Sequence, residues 1–215
     1  MIRILIADDH AIVRSGLKQL LSEPVDFNVA GEAANGLEAL AQIREQPFDV
    51  LLMDMSMPGR SGIELIKMVK ASMPKLAILV LSMHKEEQYA VRALKAGARG
   101  YLTKETATDQ LVAAIRKVAG GGVFISSGVA ERLALELGGN HEAAPHTLLS
   151  DREFQIFKMI VSGDPIGGIA DELSLSIKTV STHKTRILQK MKMTSSAELI
   201  HYAIRHQLVD SPDDL

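Results

Sequence analysis

Cysteine is absent from the 215 residues, which excludes disulfides and every metal site built on thiolates. Tryptophan is absent as well, and there are only five phenylalanines and three tyrosines. Because 47% of the residues are hydrophobic, the core has to be aliphatic. No apolar run approaches the ~20 residues that span a bilayer. The opening run, residues 1–7, is too short for a signal peptide and meets Asp8 and Asp9 at once. These absences lead to the expectation of a soluble, cytoplasmic protein in a reducing compartment, with no membrane partner. The length suits one large domain or two smaller ones.

The formal charge of −2 hides an uneven distribution. Residues 176–192 carry Lys178, Lys184, Arg186, Lys190 and Lys192 and no acid, whereas the chain ends on Asp210, Asp213 and Asp214. A basic helix in a mildly acidic chain points to nucleic acid rather than to a membrane surface.

Over the first ~120 residues, apolar strand-like runs alternate with helix-period segments. The runs lie at 2–7, 27–31, 50–54, 76–82 and 100–103, and the helical segments at 11–21, 36–45, 62–72, 86–96 and 106–119. Such alternation predicts an α/β doubly wound domain, with a flavodoxin-like five-stranded parallel sheet in the order 2-1-3-4-5. Gly120-Gly121-Gly122 stops the fifth helix, a short helical pattern follows near 129–137, and residues 138–146 read as linker. Beyond the linker there is no strand signal. Ser150 with Glu153 three residues on is a capping box opening a helix to about 161. Further helices are expected at 168–173, 178–190 and 196–206, which makes a small all-α domain of four helices. The expected boundaries are 1–122, a linker over 123–146, and 147–215 with an acidic tail.

In that sheet order Asp8 and Asp9 end the first strand beside Asp54, which ends the third. Carboxylates packed this closely cannot all stay ionised without compensation, and a hard divalent cation, Mg²⁺, is the natural partner for oxygen-only ligands. Ser82 and Lys104 end the fourth and fifth strands at the same level. A carboxylate nucleophile, a metal and a lysine are the parts of a phosphoryl transfer, with Asp54 forming an aspartyl phosphate. A phosphatase with an Asp nucleophile would need a second acid–base carboxylate two residues later, where Ser56 stands.

The segments Ala7-Asp8-Asp9-His10, Asp54-Met55-Ser56-Met57-Pro58-Gly59, Leu81-Ser82 and Gly100-Tyr101-Leu102-Thr103-Lys104 resemble the receiver domain of two-component response regulators. The resemblance implies Asp54 as phosphoacceptor and a sensor histidine kinase as phosphodonor. It implies Asp9, Asp54 and the Ser56 carbonyl as direct Mg²⁺ ligands, with Asp8 acting through water, and Ser82 and Tyr101 as a switch pair. Ser56 and His84 occupy the positions that tune loss of the phosphate. Neither is a carboxylate or an amide, so slow self-dephosphorylation is expected of a protein that is otherwise no enzyme. Receivers often place proline after the lysine, whereas Glu105 follows here.

In the 178–190 helix, Ile177, Val180, Ile187, Leu188 and Met191 share one face and are expected to pack on the bundle. Lys178, Thr182, Thr185, Gln189 and Lys192 run along the opposite face, with Ser181 beside them. Short polar side chains admit close approach to base edges, while Lys184, Arg186 and the other basic residues suit phosphates. His183 falls nearer the apolar side. This region resembles the LuxR-type helix-turn-helix, and the whole chain resembles a NarL/FixJ-type response regulator. The resemblance implies base contacts from Ser181, Thr182 and Thr185, and a homodimer on a double-stranded DNA operator formed through Ala197, Leu199 and Ile200. Phosphorylation would control that dimerisation and the exposure of the recognition helix. One departure stands out: Pro165-Ile166-Gly167-Gly168 replaces the family's polar opening of the scaffold helix, and no lysine is there.

Overall fold

A computed structural model describes residues 1–57, 62–82, 87–105, 107–137, 144–206 and 208. The chain forms two compact units, Met1–Gly138 and Gly139–Leu215.

The first unit is a parallel five-stranded sheet: β1 (Ile2–Ala7), β2 (Phe27–Ala33), β3 (Val50–Asp54), β4 (Ala77–Ser82) and β5 (Gly100–Thr103). Its order is β2-β1-β3-β4-β5, as the alternating sequence predicts. Every residue of β3 and β4 is buried, which explains their unbroken apolar runs. Alternate side chains go to opposite faces. Leu5, Leu51, Met53, Ile78 and Val80 face one core, with α2 (Gly36–Glu45), α3 (Gly62–Ser72) and α4 (Glu87–Ala96). Ile4, Ile6, Leu52, Leu79 and Leu81 face the other, with α1 (Ala11–Ser22) and α5 (Ala107–Ala119).

The sheet register fixes the chemistry. Ala7 pairs with Met53, so the next residue, Asp8, comes level with Asp54. Asp54 pairs with Leu81 and Ser82 with Thr103, so the strand ends of β4 and β5 rise to the same level.

The stretch expected as linker begins as part of this unit. Tyr101 N–H donates to the Phe124 carbonyl, Phe124 N–H donates to the Arg99 carbonyl, and Gly100 and Phe124 form a parallel bridge beside β5. The helix α6 (Ser127–Leu137) then packs along α4, with Val129 buried in the first core. Two backbone hydrogen bonds leave no periodic signature, so this return to the sheet edge is invisible in the sequence.

The second unit holds α7 (Asp151–Val161), α8 (Ile166–Glu172), α9 (Ile177–Met191) and α10 (Ser196–Arg205), preceded by a single 3₁₀ turn at Pro145–Leu148. His146, the last residue of the expected linker, is buried, and its Nδ1 lies 2.7 Å from the Tyr202 hydroxyl. Ser150 and Glu153 form both bonds of the capping box, and Ser176 and Ser195 cap α9 and α10. Glu153 also accepts from Lys190 Nζ at 2.6 Å, which ties the start of α7 to the end of α9. Burial raises the Glu153 carboxyl, but the bonds from Lys190 and Ser150 outweigh it and hold the pKa below its usual value. Lys190 is therefore committed to the fold rather than to a ligand. The peptide bond after Lys104 is trans, as are the others among the described residues.

The helix α8 starts at Ile166, two residues before the sequence-based expectation, because Pro165 makes a natural N-cap boundary and both glycines lie inside the helix. A Cβ at Gly167 would meet nothing within 4 Å. Gly167→Ala is therefore expected to stabilise the protein by about 1 kcal/mol, read as a shift in the denaturant midpoint of the second unit. A loss of stability would show that Gly167 answers a steric demand rather than carrying a cost of its own.

Candidate functional site

The strand ends bring Asp8, Asp9, Asp54, Ser82 and Lys104 together. Lys104 Nζ lies 2.8 Å from Asp8 Oδ2 and 2.8 Å from Asp54 Oδ2. Asp8 is 1% exposed and Asp54 2%, so one ammonium compensates two buried carboxylates. Burial lowers the Lys104 pKa, but hydrogen bonds and charge from Asp54 and Asp8 outweigh it, and the pKa is raised. The other carboxylate oxygens are fixed by backbone: His10 N–H donates to Asp8 Oδ1 at 2.8 Å, and Ser56 N–H donates to Asp54 Oδ1 at 3.1 Å. Arg14 Nη1 donates to the Asp8 carbonyl at 2.7 Å, so α1 braces the acidic turn from outside.

Ser82 is buried one strand away, and the Tyr101 hydroxyl hydrogen-bonds with it. Burial pushes the Tyr101 phenol up to about 12, the Ser82 bond pulls it down and the Asp54 charge adds to the rise. The tyrosine is thus inside, in contact with the serine and close enough to Asp54 to feel its charge. His84 lies outside the described residues, as does the acidic tail.

The donor set fits a hard divalent cation. Ligand atoms of Asp8, Asp9, His10 and Asp54 all lie within 4.8 Å of one another. Among the described residues Asp9 Oδ1 is buried without a hydrogen-bond partner, with the His10 imidazole nitrogen 3.0 Å away, an arrangement that suits a cation. His10 is the residue that sequence reasoning passed over; its only signal was adjacency to the aspartate pair. Ser56 lies on the bend two residues after Asp54.

In the second unit, α9 presents Lys178, Ser181, Thr182, Thr185, Arg186 and Gln189 on its exposed side and Lys184 is half-buried, whereas Lys192, expected along the same face, is exposed but lies past the helix end in the left-handed conformation that closes α9. Thr182 and Thr185 donate their hydroxyls to the carbonyls of Lys178 and Ser181, one turn back. Their hydroxyl protons are thus engaged, and each oxygen keeps the capacity to accept. His183 is half-buried, and burial, then the charges of Arg152 and Arg186, lower its pKa. Two expectations need correction. Ile177 is 62% exposed, because the first residue of α9 projects beyond the bundle. Leu199 is fully buried, because it faces the monomer's own core; on α10 Ala197 is exposed, Ile200 half-buried and Ile204 exposed. Leu199 is not available to a second copy.

The Response regulator receiver domain family matches residues 4–116, and the Bacterial regulatory proteins, luxR family, matches residues 147–203. The chain belongs to the two-component response regulators of the NarL/FixJ type, which join a receiver to a LuxR-type helix-turn-helix domain. It is 38% identical over 212 residues to Response regulator UvrY of Escherichia coli (strain K12), across 98% of this chain and 97% of that one. It is 40% identical over 212 residues to Response regulator GacA of Pseudomonas viridiflava, across 98% and 99%. It is also similar to the structure of RcsB from Salmonella enterica serovar Typhimurium bound to promoter P1flhDC in the presence of the phosphomimetic BeF₃⁻. There the TM-score is 0.68 and the identity 28%, covering 94% of this chain and 97% of that one. No helix among the described residues is long and apolar enough to cross a membrane.

Lys104→Met leaves Asp8 and Asp54 buried side by side without their cation. The expected cost is about 3 kcal/mol, measured by denaturant titration without divalent ions, with much of it recovered when a divalent ion is added. An unchanged midpoint would mean that Lys104 is not what holds the carboxylates together.

Proposed function

We propose that this response regulator binds a double-stranded DNA operator as a homodimer when Asp54 carries a phosphoryl group received from a sensor histidine kinase. The carrying observation is Asp54 itself: a buried carboxylate at a strand end, held by Lys104, in a cluster with Asp8 and Asp9. An Asp54 oxygen attacks the phosphorus of a phosphohistidine, the P–N bond breaks, and the leaving imidazole nitrogen takes a proton. Lys104 stays against the developing charge. The residues suited to holding Mg²⁺ are Asp9 and Asp54 with the Ser56 carbonyl, and Asp8 through water; the ion supplies charge neutralisation on the moving group.

Readout runs through Ser82. A phosphoryl oxygen on Asp54 competes for the Ser82 hydroxyl, which now hydrogen-bonds with Tyr101, and so biases the position of the tyrosine. The exposed face of α9 enters the major groove. Ser181, Thr182 and Thr185 meet base edges, while Lys178, Lys184, Arg186, Gln189 and Lys192 position the helix. Dimerisation uses the exposed side of α10, Ala197 and Ile200 with Ile204, so that two half-sites are read by a symmetric pair. The solved RcsB complex with promoter DNA and a phosphomimetic supports this reading by kinship.

The test is DNA binding at one fixed salt concentration, because phosphate contacts make affinity strongly salt-dependent. The probe is DNA selected from a random pool by the phosphorylated protein, titrated with and without acetyl phosphate and Mg²⁺. Wild type is expected to bind about tenfold tighter when phosphorylated, and Asp54→Ala not to respond, a coupling of ordinary allosteric size. Equal binding by both proteins under both conditions contradicts the switch. In the same preparation the acyl phosphate is expected to last minutes to hours, since neither Ser56 nor His84 orients an attacking water; loss within seconds contradicts that part.

A further inference from the structure

His10 is not explained by its structural position. It is the N-cap residue of α1, yet its side chain makes no capping bond, and Ser, Thr, Asp or Asn would serve there better. Its side chain is 65% exposed, so core packing does not require an imidazole either. Instead Nδ1 lies 3.0 Å from Asp9 Oδ1 and 3.3 Å from Asp8 Oδ1. Around an octahedral ion with ligands at ~2.1 Å, neighbouring ligand atoms are ~3.0 Å apart and opposite ones ~4.2 Å. The distance to Asp9, a direct ligand in this reading, matches neighbouring positions, and one ligand atom from each of Asp8, Asp9, His10 and Asp54 lies within 4.8 Å of the others. The Asp9 oxygen nearest the imidazole is the one without a hydrogen-bond partner among the described residues.

We propose that His10 Nδ1 is an additional ligand of the receiver's cation site and shifts its preference from Mg²⁺ toward a first-row ion that accepts nitrogen, with Mn²⁺ as the ion to test. The inference rests on the reading of Asp8, Asp9 and Asp54 as a cation site. Mg²⁺ takes oxygen ligands and dehydrates reluctantly, whereas nitrogen is better accepted by first-row transition ions; Mn²⁺, the member of that row most like Mg²⁺ in its taste for oxygen, is the one that tests the added imidazole most stringently. The exposed side of the imidazole leaves the position open to solvent and to an arriving ion.

The experiment titrates Mg²⁺ and Mn²⁺ separately into the full chain by calorimetry and records nitrogen coupling to bound Mn²⁺ by pulsed electron paramagnetic resonance. Wild type is compared with His10→Ala and with His10→Ser, which keeps a capping side chain on α1. Nitrogen coupling is expected in wild type and absent in both variants. Mn²⁺ affinity is expected to fall about fivefold in the variants while Mg²⁺ affinity stays within about twofold. Unchanged Mn²⁺ affinity, or coupling that survives in His10→Ala, overturns the inference and leaves His10 as an ion-pair partner of the aspartates. If neither ion binds wild type, the carboxylate cation site itself falls, and the inference with it.

Discussion

Two buried carboxylates share one ammonium at the top of the sheet, and the receiver unit is arranged around that balance. Asp8 and Asp54 are neighbours because Ala7 and Met53 pair in the parallel register. They stay in place because Lys104 reaches both. The β2-β1-β3-β4-β5 order is what lets one lysine at the end of β5 answer acids from β1 and β3. Asp9 adds a further buried carboxylate oxygen to this site, with the His10 imidazole nitrogen 3.0 Å away. On the proposed function a cation would complete the site, and a phosphoryl group on Asp54 would disturb it. Ser82 and Tyr101, the proposed readout, meet in the same buried layer.

The helical unit solves a different problem: holding one helix rigid while leaving a face of it open. The end of α9 is pinned by Lys190 to Glu153, and its start by Ser176. Val180, Ile187 and Met191 anchor its dry side. The threonines of the open side spend their hydroxyl protons on the helix backbone, so each oxygen keeps only the capacity to accept. This spacing of pins leaves a face of short polar side chains without loosening the helix that carries it.

Much of this was legible in the sequence, for a physical reason. Fully buried parallel strands read as apolar runs, and β3, β4 and β5 end on or just before a polar residue, so Asp54, Ser82 and Lys104 stand out from the sequence. The capping box at Ser150 and Glu153 was equally plain. What escaped has no periodic or compositional signature. Phe124 joins the sheet edge through two backbone bonds. His146 looks like linker beside Ala143, Ala144 and Pro145, yet is buried against Tyr202. Ile177 fits an apolar face by spacing but lies where the bundle has ended, and Leu199 turns inward where a dimer face was expected. His10 hid behind two aspartates whose role was more obvious.

The most direct measurement locates the phosphoryl group. The full chain is treated with acetyl phosphate with and without a divalent ion, the acyl phosphate is trapped by borohydride reduction, and the modified residue is mapped by mass spectrometry. The expected result is a single modification at Asp54 that requires the ion. Modification at Asp8 or Asp9 instead, or at Asp54 to the same extent without any divalent ion, would contradict the account.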